Sequence, residues 1–132
     1  MTAFVDSNVL VRHLTGEPPD QASRAGDALR SGETLVLVDL IVAEVVFVLE
    51  SVYEVDRPRV AELVRAILSF PAVSVVDTPL LLRTLELYED LRIHFAEAYL
   101  AACAEHSGLG RVMSFDRDLS RIPTIERVEP GR

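Results

Sequence analysis

The sequence predicts an α/β protein built on a mostly parallel sheet. Short β-branched or aliphatic runs alternate with longer stretches of helical period along its 132 residues. Strands separated in this way pair through crossovers, which align them in parallel and lay helices over both faces of the sheet. With 49% apolar residues and only 6% aromatic ones, the core has to be Val, Leu, Ile and Ala. Such a composition argues against disorder.

Ala3–Val5 reads as a buried strand. Val9, Leu10 and Leu14 follow at helical spacing, so Ser7 or Asn8 is expected to cap a first helix. Pro18-Pro19-Asp20 opens a second helix, carried by Ala22, Ala25, Ala28 and Leu29 and closed by Ser31-Gly32. Thr34–Val38 is a second strand. Asp39 can cap a helix running from Leu40 to near Tyr53, and Arg57-Pro58 starts another whose apolar positions are Val60, Leu63, Val64, Ile67 and Leu68. Val73–Val76 is a third strand. Thr78-Pro79 caps and starts a helix to near Leu91, and Phe95–Ser107 is a further helix ended by Gly108. Arg111–Met113 and Thr124–Val128 supply a fourth and a fifth strand. No repeat, linker or low-complexity tract interrupts the pattern, so a single domain over 1–132 is expected, burying roughly two thirds of its unfolded surface.

Charge narrows the function. The chain carries 21 acids against 13 cations, a formal charge of −8, so it is unsuited to gripping nucleic acid by bulk electrostatics, and any such binding has to be local. All the cations are Arg. The absence of lysine excludes a P-loop, a Schiff base and Lys-dependent phosphoryl-transfer sites such as those of receiver domains and haloacid-dehalogenase-like phosphatases. Cys103 is the only cysteine and lies in the Ala-rich run AYLAACAEHSG, so neither an internal disulfide nor a C-x-x-C site can form. There is no apolar run of about 18 residues, and the first residues lack a basic start and a cleavage site. A soluble, cytoplasmic protein without a membrane segment is the expectation.

Four acids stand where chemistry is expected. In a parallel sheet, ligands bind beyond the carboxyl ends of the strands. Asp6 ends the first strand and Asp116 follows the fourth, although a cap or turn explains either one taken alone. Glu44 lies in LIVAEVVFVLE with Ile41, Val45 and Val48 on its helical face, where a buried carboxylate costs several kcal/mol unless it is paired, protonated or bound to a metal. Glu97 falls in the first turn of its helix, a position the macrodipole favours by itself. Carboxylates gathered at one sheet edge would repel unless a divalent cation lay among them, and an all-oxygen ligand set suits Mg²⁺ or Mn²⁺. Such a cation activates water and neutralises a phosphodiester, which makes nucleic acid hydrolysis the natural reaction.

These residues carry a resemblance to a known family. FVDSNVLVRHLTGE at the start, VAEVVFVLE around Glu44, HFAEAYLAACAEHSG around Glu97 and VMSFDRDLSRIPTIERVEP at the end resemble, in order and spacing, a PIN domain. The likeness is greatest to the VapC-type toxins of toxin–antitoxin pairs, and it spans nearly the whole chain. It implies a PIN-like three-layer sandwich with a central, mostly parallel sheet of four to five strands flanked by helices. It also implies a catalytic, metal-binding set of Asp6, Glu44, Glu97 and Asp116, holding Mg²⁺ or Mn²⁺ for cleavage of single-stranded or loop RNA. Ser7, Ser114 and Asp118 are candidate supporting groups, and Arg12 and Arg117 are candidate phosphate contacts. At the third position the family most often has Asp in a D-F-A-D-A-like stretch, whereas this chain reads His94-Phe95-Ala96-Glu97-Ala98, so Glu97 coordinates directly or through water.

The resemblance further implies an RNA substrate and a VapB-type antitoxin whose tail covers the site. Val45, Val46, Phe47, Val48, Leu49 and Tyr53 offer more apolar surface than one helix face buries, which suits a partner or homodimer contact as well as a helix buried on most sides. An RNA-processing PIN nuclease without an antitoxin and a non-catalytic binding module are the alternatives.

Overall fold

The structure is a computed structural model and describes residues 1–131. Strands and helices alternate as β1 (Thr2–Phe4), α1 (Ser7–Thr15), α2 (Pro19–Arg30), β2 (Thr34–Val36), α3 (Asp39–Ser51), α4 (Arg57–Leu68), β3 (Val73–Ser74), α5 (Thr78–Leu91), α6 (Phe95–Ser107), β4 (Arg111–Met113), a 3-10 helix (Arg117–Arg121) and β5 (Glu126–Val128). Every strand pairing is parallel, so the α/β class read from the alternation holds. The chain forms two compact units, Met1–Thr78 and the residues from Pro79 onward. No helix among the described residues is long and apolar enough to cross a membrane.

In the first unit the strand order is β1-β2-β3, with Ala3 opposite Leu35 and Leu35 opposite Val73. Parallel pairing turns the carboxyl ends of all the strands to one edge, and Asp6 lies just beyond β1 there. Leu37 and Val38 were expected within the second strand. They leave the ladder after a last bond from Leu37 N–H to the Ser74 carbonyl at 2.8 Å. The helices cover an aliphatic core in which Leu10, Leu37, Val42, Val45, Val64 and Ile67 enclose a void of about 10 Å³. Lined by carbon alone and no larger than one water, such a void stays dry.

Two helix starts differ from the sequence expectation. α1 begins at Ser7, and Asp6 itself is the cap, with an extended backbone (φ −87°, ψ 157°) and Oδ1 accepting from Ser7 N–H at 2.8 Å. Ser7 is therefore free of capping and turns inward. α3 begins at Asp39 after Val38, so Asp39 occupies the first turn and does not precede it. The apolar surplus foreseen on α3 divides by face. Val45, Val46 and Leu49 are buried, whereas Phe47 is 62% exposed and Tyr53, just past the helix, is 40% exposed.

In the second unit β4 pairs with β5, Val112 opposite Arg127. The rings of Tyr88 and Phe95 meet edge to face at 5.9 Å, fixing the turn from α5 into α6. Gly108 ends α6 in the left-handed conformation at φ 78°, which an L side chain adopts only with strain. Arg83 on α5 grips Glu105 on α6 with two hydrogen bonds, Nε to Oε1 at 2.8 Å and Nη2 to Oε2 at 2.9 Å. Thr124 donates to the same carboxylate and so ties in the approach to β5.

Candidate active site

Each unit contributes acids from the predicted set. In the first unit Asp6 is exposed at the end of β1, held by its capping bond. Glu44 is also exposed, so the cost of a buried carboxylate, which had drawn attention to it, does not apply. Its placement has another origin: Ser7, only 6% exposed, donates its hydroxyl to Glu44 Oε1. The residue beside Asp6 thereby fixes the carboxylate on α3. Ser7 was a candidate supporting group, and this bond joins it to Glu44.

In the second unit Glu97, Asp116 and Asp118 each offer a carboxylate oxygen within 4.8 Å of the others. Glu97 stands in the first turn of α6 after the cap residue His94. Asp116 caps the 3-10 helix, its Oδ1 accepting from Asp118 N–H at 2.9 Å. The bland reading of Asp116 as a cap is thus correct, and it coexists with membership of the cluster. Asp118, a candidate supporting group from sequence, joins the cluster because a 3-10 turn brings it back beside Asp116.

The loop carrying Asp116 is braced. Ser114 Oγ accepts from Asp116 N–H at 2.9 Å, and Arg127 on β5 donates Nη1 to the Ser114 carbonyl at 2.9 Å and Nε to Ser120 Oγ at 2.7 Å. Ser114 was a sequence candidate, whereas Arg127 was not. Its part depends on β5 lying beside β4, which nothing in the local sequence announces. Arg117 is exposed and points to no partner that would distinguish it.

The trio is electrostatically loaded. Burial, then the hydrogen bond and charge of Asp116, raise the Glu97 pKa above its ordinary value. Asp116 is held below its ordinary value, first by the Asp118 N–H and then by the hydrogen bond from Glu97. A hydrogen bond joins the two carboxylates, and their shifts run in opposite directions. Glu97 Oε2 is buried with no hydrogen-bond partner among the described residues. A divalent cation would satisfy that orphaned oxygen, and the all-oxygen donor set fits a hard ion.

Parallel strands alternating with helices and an acidic cluster that could hold a hard cation define an α/β protein with a candidate metal site. The sequence profile of the PIN domain matches residues 3–125, across both compact units, and the chain belongs to the PIN domain family. With that membership comes its class, the nucleases. Among relatives, the chain is similar to a VapC ribonuclease from Aquifex aeolicus (strain VF5), 26% identical over 122 residues that cover 90% of each protein. Among solved structures it aligns with VapBC2 from Rickettsia felis bound to a DNA fragment from its promoter, over 98% of each chain, at 14% identity and a TM-score of 0.39.

Proposed function

We propose that this protein is a cytoplasmic, metal-dependent endoribonuclease of the VapC type, the toxin of a toxin–antitoxin pair, which hydrolyses single-stranded or loop RNA. The observation that carries the reading is the Glu97, Asp116 and Asp118 cluster with its orphaned oxygen, in a chain of the PIN domain family. The similarity to a protein named a VapC ribonuclease supports RNA as the substrate, and the resemblance to VapC-type toxins implies a VapB-type antitoxin as the partner. In this reading residues 1–132 work as one PIN-like domain, and Asp6, Glu44, Glu97 and Asp116 are the metal and catalytic acids, with Asp118 beside Glu97 and Asp116. The protein acts as a homodimer, for which the exposed Phe47 and Leu40 on α3 offer apolar contact surface.

A bound Mg²⁺ or Mn²⁺ supplies an activated water and neutralises the phosphodiester. The chain's own groups do the rest. Ser7 aims Glu44, and Ser114 and Arg127 hold the Asp116 loop so that the carboxylate needs no reorganisation on binding.

The test is cleavage of a labelled single-stranded RNA by the full chain in Mg²⁺ or Mn²⁺. Cleavage is expected to stop in EDTA and to fall by about a hundredfold or more in Asp6→Asn and in Asp116→Asn, with circular dichroism unchanged. Undiminished cleavage by either variant overturns the site assignment. Growth arrest on expression, relieved by co-expression of a neighbouring small DNA-binding protein, separates the toxin from an RNA-processing nuclease.

A further inference from the structure

Within the first unit, the α1–α2 hairpin carries a cleft of about 370 Å³, lined by Asn8, Val9 and Arg12 from α1 and by Gln21, Arg24, Ala25 and Ala28 from α2. Asn8 and Arg12 are one turn apart, and the α2 residues recur three and four apart, so each helix turns a single face to the space. Ala25 and Ala28 make a shallow apolar floor. Two guanidinium groups and two amides make the walls, and no carboxylate lines it, in a chain whose acids outnumber its cations 21 to 13.

The arginines are also unspent. Arg59, Arg83, Arg111, Arg121 and Arg127 all face acidic partners. Arg12 and Arg24 have no ion-pair partner among the described residues. Arg12 begins about 9 Å along the α1 axis from Asp6, at 1.5 Å per residue, with Asn8 between them. A strand held with one phosphate at Asp6 would carry its neighbouring phosphates along this face.

Resting on the nuclease reading, we propose that this cleft holds the backbone of the single-stranded RNA next to the scissile bond. Arg12 and Arg24 take phosphate oxygens as bidentate donors, and Asn8 and Gln21 meet the sugars above the apolar floor. With acids outnumbering cations 21 to 13, any grip on RNA has to be local, and Arg12 and Arg24 bring two guanidiniums to one cleft. The site is one of strand positioning and makes no demand on sequence, because phosphate contacts carry none.

The experiment measures kcat/KM on a labelled single-stranded RNA, against salt concentration, for the wild-type chain, Arg12→Ala, Arg24→Ala and Arg12→Lys. Each alanine variant is expected to lose about tenfold in kcat/KM at low salt. The slope of log(kcat/KM) against log salt should shrink by about 0.7 per arginine removed. Arg12→Lys, which keeps the charge, should recover part of the loss, and melting temperatures should stay at the wild-type value. Wild-type kinetics and slope in both alanine variants overturn the proposal and hand the cleft to an acidic protein partner. A loss that comes with a lowered melting temperature and no rescue by lysine also overturns it, marking the arginines as structural. A wild-type chain that cuts no RNA in Mg²⁺ or Mn²⁺ defeats the nuclease reading itself, a result distinct from either.

Discussion

A single buried glycine shows how residue-level packing sets stability. Gly26 lies inside α2, where the lack of a Cβ costs up to about 1 kcal/mol relative to alanine. A Cβ placed there would meet Arg30 Nη1 at 2.9 Å and His13 Nδ1 at 3.4 Å. The closer atom is the tip of a flexible side chain that can swing into solvent. Gly26→Ala is therefore expected to stabilise the protein by about 0.5 kcal/mol, read from denaturant midpoints at unchanged m-value. The same Arg30 charge, after burial, lowers the His13 pKa. Glu105 offers a second residue-scale outcome. Arg83, with Thr124 assisting, holds its carboxyl below the ordinary 4.5. A depressed carboxylate contributes stability that is full above its unfolded pKa and disappears as pH falls through the folded one. Glu105→Gln should cost about 2 kcal/mol at neutral pH, and the gap from wild type in chemical unfolding should close as the pH is taken well below 4.5.

At the scale of elements, helix α3 joins the core to the candidate site. Its inner face, Val42, Val45, Val46 and Leu49, is buried, while Glu44 on another face receives the Ser7 hydroxyl. Leu49 is fully buried, so Leu49→Ala should cost about 2–5 kcal/mol in urea unfolding. A cost below 1 kcal/mol would mean that the core around α3 closes over the missing side chain. Helices were the most legible part of the sequence: Phe95–Ser107 and its Gly108 stop could be read residue by residue, because the helical period and a left-handed glycine are local signals. Helix starts were less legible. At Asp6-Ser7-Asn8 three good capping residues stand in a row, and only the path of the chain shows that Asp6 caps and Ser7 turns inward. The 3-10 helix after Asp116 has no periodicity long enough to announce it.

For the molecule as a whole, parallel strand order and an aliphatic core follow from composition and alternation, and the family match over residues 3–125 agrees with the sequence marks that resemble a PIN domain. The site was legible only in part. Asp6, Glu44, Glu97 and Asp116 stood out by position along the chain, but for Glu44 the reason given was wrong, since it is exposed and held by Ser7. Asp118 and Arg127 acquire their places through a turn and a strand pairing. Their sequence context is that of an ordinary surface acid and an ordinary strand cation.

The sequence by itself determined the class of the fold, the order of its elements and the residue types available for chemistry, because periodicity, capping and charge are properties of neighbouring residues. Only the tertiary structure decided that Ser7 serves Glu44, that Asp118 meets Glu97, and that Arg12 and Arg24 share a cleft free of acids. Those relations join residues far apart along the chain. They exist only once strand pairing and helix packing have brought the backbones together.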